Sequence, residues 1–315
     1  MRIAILDDYF DAARHLADWG QLAGRADIQV FTEPLGGEEK AAKKLADFEI
    51  IVGMRERTPF PATLIRRLPK LKLLITTGMR NLSFDMGAAH SQGVRVCGTG
   101  GVGNPTSELA VGMMIALMRD IHGQFGSMRQ GGWQTRPGYD LAGKTLGLLG
   151  LGRVGSAVAA VGNAFNMKVI AWSQNLTEQR AAECRARRVE KDELFRQSDV
   201  LSIHLILSGR TRGIVGAREL NMMKTTAYLV NTSRGEIVDE AALLKVLQEK
   251  RIAGAAIDVY GVEPLPADHA FRKLDNVLLT PHIGYVSAEN LAKMYRDAIE
   301  DIVAFLDGKP VRALK

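Results

Sequence analysis

The stretch Gly147-Leu148-Leu149-Gly150-Leu151-Gly152-Arg153-Val154-Gly155 decides how this chain is read, because a buried apolar run passes there into a three-glycine loop that opens a helix. Leu146 to Leu149 read as a core strand, and Gly150, Gly152 and Gly155 give the G-x-G-x-x-G spacing. The first glycine permits a tight turn, the second lets the backbone approach a pyrophosphate, and the third allows close helix–sheet contact. An amphipathic run follows over Val154–Phe165. Its first amides face the phosphates, where the helix dipole favours negative charge. Gly150, Gly152, Arg153, Val154 and Gly155 are therefore candidate cofactor-binding residues. The spacing alone also fits a structural glycine turn; the strand before it and the helix after it are what favour a dinucleotide.

Outward from this loop, apolar β-rich runs alternate with helical patterns, the sequence form of a mostly parallel sheet with helices on both faces. One series has strands near Ile3–Leu6, Ile28–Phe31, Ile50–Gly53, Leu73–Thr76 and Val94–Cys97. A glycine-rich crossing over Gly98–Pro105 then leads to a long apolar helix from Thr106 to Met118, and Gly98–Asn104 is expected to serve as a hinge for closure over a substrate. The second series has six strands, near Thr145–Leu149, Lys168–Ala171, Val200–His204, Ala227–Asn231, Gly254–Asp258 and Val277–Thr280, matching two mononucleotide-binding halves. A last helix, Ala288–Leu306, follows a completed domain and is expected back on the first one. The predicted architecture is α/β, with two doubly wound parallel-sheet domains. A Rossmann cofactor domain over 100–285 is inserted into a flavodoxin-like substrate domain of 1–99 plus 286–315.

Composition fits this. The 315 residues allow about two domains, and 46% hydrophobic with 24% charged residues is ordinary for a globular enzyme. The net charge of +6 is dispersed among acids, with no basic block of the kind a nucleic-acid or membrane partner needs. Cys97 and Cys184 form no C-x-x-C or His cluster, so neither a disulfide framework nor a metal site is expected. The apolar run at the N-terminus is too short for a signal peptide, and no stretch reaches a membrane span, so a reducing cytoplasm is the expected compartment.

Ligands of such sheets sit beyond the carboxyl ends of the strands. Three reactive segments stand there: Asn231-Thr232-Ser233-Arg234-Gly235, Asp258-Val259-Tyr260-Gly261-Val262-Glu263-Pro264, and Thr280-Pro281-His282-Ile283-Gly284. A guanidinium, a carboxylate and an imidazole are what the interconversion of a 2-keto and a 2-hydroxy acid requires. Arg grips a carboxylate and polarises a carbonyl, His moves the proton, and Glu orients His and favours its charged form. Each alone has a plain reading as a surface ion pair, a loop residue or a turn; their arrival at neighbouring strand ends favours catalysis.

Over essentially its whole length the chain resembles the D-isomer-specific 2-hydroxyacid dehydrogenase family. The marks are Gly-Leu-Gly-Arg-Val-Gly at 150–155, Asn-Thr-Ser-Arg-Gly at 231–235, Asp-Val-Tyr-x-x-Glu-Pro at 258–264 and Thr-Pro-His-Ile-Gly at 280–284. The resemblance implies that Arg234 binds the substrate carboxylate and carbonyl, that His282 is the general acid/base and that Glu263 pairs with it. It further implies that Asp258 holds the nicotinamide carboxamide, that Thr106 and Thr232 approach the cofactor, and that backbone amides at Gly78 and Met79 grip the substrate carboxylate. Arg80 departs from the acidic or small residue commoner there. The resemblance also implies a homodimer. The lack of a domain after Lys315 argues against an amino-acid-regulated form.

The cofactor end departs from the NAD pattern. About 20 residues past the fingerprint, an acid on the ribose hydroxyls marks NAD and a nearby Arg marks NADP. This chain reads Ala171-Trp172-Ser173-Gln174-Asn175-Leu176, with neither charge, and Arg180 lies further down the next helix. Ser173 is the candidate ribose contact, and the reading favours NADP or dual use over NAD. His204, in Ser202-Ile203-His204, reads as structural rather than catalytic, and the proline many relatives carry two residues later is absent. Two other classes share part of this signature. A nucleotide-sensing corepressor retains all of these residues, whereas an S-adenosylmethionine methyltransferase shares only the glycine loop and has no use for the Arg, Glu and His set.

Overall fold

The computed structural model describes residues 1–314, which form two compact units, 1–103 with 286–314 and 104–285. In the first, the strands β1 (Arg2–Ile5), β2 (Asp27–Val30), β3 (Ile50–Gly53), β4 (Leu73–Thr76) and β5 (Arg95–Gly98) form one parallel sheet in the order β2-β1-β3-β4-β5. That is the flavodoxin-like order, with its switch point between β1 and β3. The strands β3 and β4 are buried at every residue because helices cover both faces, which is why they read as unbroken apolar runs.

The Ala288–Leu306 helix groups with this unit. It buries Leu291, Met294, Tyr295, Ala298, Ile299 and Ile302, and burying each large side chain contributes about 1.5–3 kcal/mol over leaving it exposed. After it, Leu314 donates its amide to Val96 and Ala313 bridges Cys97 in antiparallel sense, so the tail lies along β5. Asp297 and Asn290 on the same helix accept from the amides of Gly100 and Val102. These bonds keep the glycine-rich crossing with the first unit as far as Gly103, a few residues beyond the expected boundary at 99.

The second unit holds seven parallel strands: β6 (Thr145–Leu149), β7 (Lys168–Trp172), β8 (Arg187–Arg188), β9 (Val200–Ile203), β10 (Tyr228–Asn231), β11 (Gly254–Ile257) and β12 (Val277–Leu279). Their order is β12-β11-β10-β9-β6-β7-β8, the dinucleotide-binding order with one strand added. The sequence expectation of six strands is corrected here. The strand β8 has only two residues, both Arg, and so carries no apolar or period-two signal; the strands from Val200 onward each move up one place. A helix at Ile121–Arg129, unanticipated in the sequence, follows the Pro105–Met118 helix and buries none of its residues. No helix among the described residues is long and apolar enough to cross a membrane.

Candidate active site

The chain reverses direction across the second sheet between β6 and β9, and the glycine loop sits at the carboxyl end of β6, where the fold leaves a crevice. Gly150 has φ +106, and a Cβ there would lie 2.7 Å from the carbonyl oxygen of His204. A Cβ on Gly155 would lie 2.2 Å from the carbonyl oxygen of Gly150, so the loop closes only with glycine at both positions. Gly152 is the opposite case: nothing lies within 4 Å of its missing side chain. It caps the Arg153–Ala164 helix without any side-chain bond, which leaves the first amides open to an anion. Arg153 donates to Asn104 at 2.9 Å, and the carbonyl of Val154 accepts from Ser107.

Around this loop the polar atoms fit a bound dinucleotide. Thr232 Oγ1, Ser202 Oγ and both ring nitrogens of His204 are buried without a hydrogen-bond partner among the described residues, all at the carboxyl ends of β9 and β10. Buried polar groups are rarely left so unless a ligand or water serves them. Burial pushes the His204 imidazole down to about 4, which keeps it neutral.

The reactive groups assemble at the ends of β10, β11 and β12. His282 Nδ1 and Glu263 Oε2 are 2.6 Å apart, with their side chains 15% and 26% exposed, so the pair is shielded yet reachable. The other Glu263 oxygen accepts the amide of Tyr260 at 2.9 Å. Burial works against ionisation of Glu263, but the hydrogen bond and charge of His282, the Tyr260 amide and the positive charge of Arg234 outweigh it and hold its carboxyl below the usual range. Arg234 Nη1 donates to the carbonyl of Ser233, and Asn231 Nδ2 donates to the carbonyl of Arg234, fixing the turn after β10. His282 itself has φ +52, an uncommon conformation for a side chain of this size and one that concentrates at functional sites.

What holds that conformation is Asp258, fully buried at the end of β11. It accepts from Thr280 Oγ1 at 2.6 Å and from the amides of Ile283 and Gly284 at 2.8 Å each, gripping the loop on both sides of His282. Burial raises its pKa, while these donors and the nearby His282 act the other way. Tyr260 braces the same loop: its hydroxyl meets the carbonyls of Ile257 and Thr280 at 2.9 and 2.8 Å. Thr106 is adjacent, its Cγ2 3.4 Å from where a Gly284 Cβ would stand. Tyr260 and Thr280 lay inside the quoted motifs without an assigned part, because only the folded loop reveals what they bond.

In the first unit the Thr77–Asn81 loop follows β4. Gly78 has φ +112, and its amide donates to Thr99 Oγ1 at 2.9 Å. Met79 is 52% exposed and Arg80 is exposed as well. Arg55, which sequence reasoning passed over, lies directly on this loop: its amide and guanidinium bond the hydroxyl and carbonyl of Thr77, and a Cβ on Gly78 would fall 2.2 Å from its Nη1. At the other sheet, Ser173 directly follows β7, and its carbonyl accepts from Leu176 in a tight turn. Arg180, left without a role in the sequence, reaches back with its guanidinium to Ser156, one residue beyond Gly155. Among the described residues, no cluster of three or more His, Cys, Asp or Glu is placed to hold a metal ion.

Comparison with known proteins bears on the family. The pattern defining the D-isomer specific 2-hydroxyacid dehydrogenase, NAD binding domain, matches residues 111–284, more than half of the chain. The chain belongs to the D-isomer-specific 2-hydroxyacid dehydrogenase family. A glyoxylate reductase of Aeropyrum pernix is 38% identical over 256 residues, covering 78% of this chain and 76% of that one. A hydroxypyruvate reductase of Thermotoga maritima is 34% identical over 287 residues, covering 89% and 92%. Among solved structures, one described as a putative D-3-phosphoglycerate dehydrogenase oxidoreductase from Ralstonia solanacearum superposes with a TM-score of 0.93 at 36% identity, over 99% of this chain and 96% of that one. As a member of this family the dehydrogenase is an oxidoreductase with a nicotinamide-cofactor domain, moving hydride between NAD(H) and a small 2-keto or 2-hydroxy acid.

Proposed function

We propose that this dehydrogenase reduces short 2-keto acids such as glyoxylate and hydroxypyruvate, with His282 as the general acid, Glu263 as its charge partner and Arg234 as the grip on the substrate. The 2.6 Å contact between His282 Nδ1 and Glu263 Oε2 carries this reading. With Nδ1 held by the carboxylate, Nε2 is the ring atom left to give its proton to the carbonyl oxygen as the alcohol forms. Arg234 is the fork that pairs with the substrate carboxylate, and its charge also steadies the alkoxide as it develops. Gly150–Gly155 would hold the pyrophosphate of a nicotinamide dinucleotide, with Thr106 and Thr232 as further contacts, and the bound cofactor would supply the hydride. Asp258 keeps the His282 loop in place and has lone pairs left for the nicotinamide carboxamide.

Gly78 and Met79 are proposed as first-unit contacts to the substrate. Because Thr99 takes the Gly78 amide, Met79 is the better donor, with Arg55 beside it. At the adenosine end, Ser173 faces the ribose, and the absence of any acid over 173–177 favours NADP or dual use. A homodimer is supported by the apolar surface over 121–139, where Ile121, Phe125, Met128, Trp133 and Tyr139 are all exposed, Phe125 to 63% and Trp133 to 71%. Two free cysteines suit a cytoplasmic compartment.

The test is a panel of glyoxylate, hydroxypyruvate, pyruvate and larger 2-keto acids, each with NADH and with NADPH. Turnover of the short acids supports the reading. Tight cofactor binding without turnover of any acid would instead favour a nucleotide sensor.

A further inference from the structure

We infer that Arg180 is the receptor for a 2′-phosphate on the adenosine ribose, and that it makes NADPH a cofactor of this enzyme. The inference rests on the dehydrogenase reading above and adds to it a residue that the sequence left unassigned.

Three segments converge beside the glycine loop. The amide of Gly150 donates to the carbonyl of Trp172 at 2.8 Å, so the chain leaving β7 at Ser173 starts next to the first glycine. From Ser173 to Thr177 that chain carries no acid. Thr177 Oγ1 then caps the short Glu178–Glu183 helix by accepting the amide of Arg180. Its Nη2 donates to Ser156 Oγ at 2.7 Å, and Ser156 Oγ in turn lies 3.3 Å from the carbonyl of Leu151, inside the loop itself. Arg188 steadies the intervening turn by donating from Nε to the carbonyl of Leu176 at 2.9 Å.

A cation is thus fixed at the rim of the phosphate cradle, on the side where the adenosine ribose of a dinucleotide lies. Its other partner is Glu183 at 3.1 Å, with both side chains about half exposed. Exposed pairs of this kind are weak and exchange readily, so the guanidinium can turn from a carboxylate and a neutral hydroxyl to a dianion that matches its fork. NADH offers no group that uses this charge. The consequence is a preference set by one side chain standing outside the glycine fingerprint.

Direct binding tests it without reference to turnover. Dissociation constants for NADPH and NADH are measured by fluorescence, and those for 2′,5′-ADP and 5′-AMP by competition, on wild type, Arg180→Ala and Arg180→Lys. Arg180→Ala is expected to weaken NADPH and 2′,5′-ADP by about 10- to 100-fold while NADH and 5′-AMP stay within twofold. Arg180→Lys, which keeps the charge but not the fork, is expected to fall between. Unchanged NADPH binding in Arg180→Ala overturns the inference, as does an equal loss of NADH and NADPH, which would make Arg180 a brace for Ser156. Failure of wild type to bind either dinucleotide would instead remove the dehydrogenase reading, and this inference with it.

Discussion

Glu263 Oε2 lies 2.6 Å from His282 Nδ1, on a loop that Asp258 grips on both sides of the imidazole. The attraction is mutual. Glu263 has its pKa lowered, so the pairing stabilises the folded loop above the ordinary glutamate range and is lost as pH falls through the lowered value. Glu263→Gln is therefore expected to lower the urea midpoint at neutral pH by the equivalent of about 1–3 kcal/mol, a deficit that shrinks as pH falls through the lowered carboxyl value. A deficit that stays the same at neutral and acid pH would show that the Glu263 carboxylate does not stabilise this loop.

Replacing the imidazole should act on turnover alone. His282→Ala is expected to lower kcat by about 10²–10⁴-fold, the usual contribution of a positioned acid. The Kd for NADH should change little, because the glycine loop lies at a different strand end. Undiminished turnover of every keto acid in the panel would assign the proton to another group.

Arg234 is expected to behave differently, since it meets the substrate before as well as during the reaction. In Arg234→Ala, KM should rise and kcat should fall, together lowering kcat/KM by about 10- to 150-fold. Arg234→Lys should restore only part, because an ammonium lacks the planar fork. Complete rescue by Lys would mean that charge without geometry suffices.

Gly78 is fixed twice over, by φ +112 and by Arg55 Nη1 where a Cβ would stand. Gly78→Ala is expected to cost about 1–3 kcal/mol, read from the urea midpoint. The double variant with Arg55→Ala relieves the collision but not the dihedral, so it should recover part of that loss. Strict additivity of the two changes would show that the side chains do not interact.

Both sheets and most strand bounds were legible because β3, β4, β9, β10 and β11 are buried on both faces and therefore spell unbroken apolar runs. Arg234, Glu263 and His282 were legible for a different reason: they stand immediately beyond such runs, in short motifs. What could not be read is what depends on side chains meeting across long separations in sequence. Arg55 touches the Gly78 loop across more than twenty residues, Arg180 reaches Ser156 across a similar gap, and the Gly78 amide is taken by Thr99. Local periodicity carries no trace of these contacts. The strand β8 was missed because two arginines present no alternation, and the Ile121–Arg129 helix because its apolar residues lie outward instead of marking a core-facing stripe.

The Ala288–Leu306 helix and the tail along β5 carry a consequence for how the chain is made. Five strands of the first unit leave the ribosome early, but the helix and tail that cover them are synthesised last. The segment from 104 to 285 is continuous and has every strand it needs as soon as it emerges. The expected order of assembly is thus inverted relative to synthesis, with the middle of the chain folding first and the beginning waiting for the end. Stalling or truncation before Ala288 would leave an open apolar sheet face attached to a finished neighbour, a substrate for chaperones and proteases in place of a half-active enzyme.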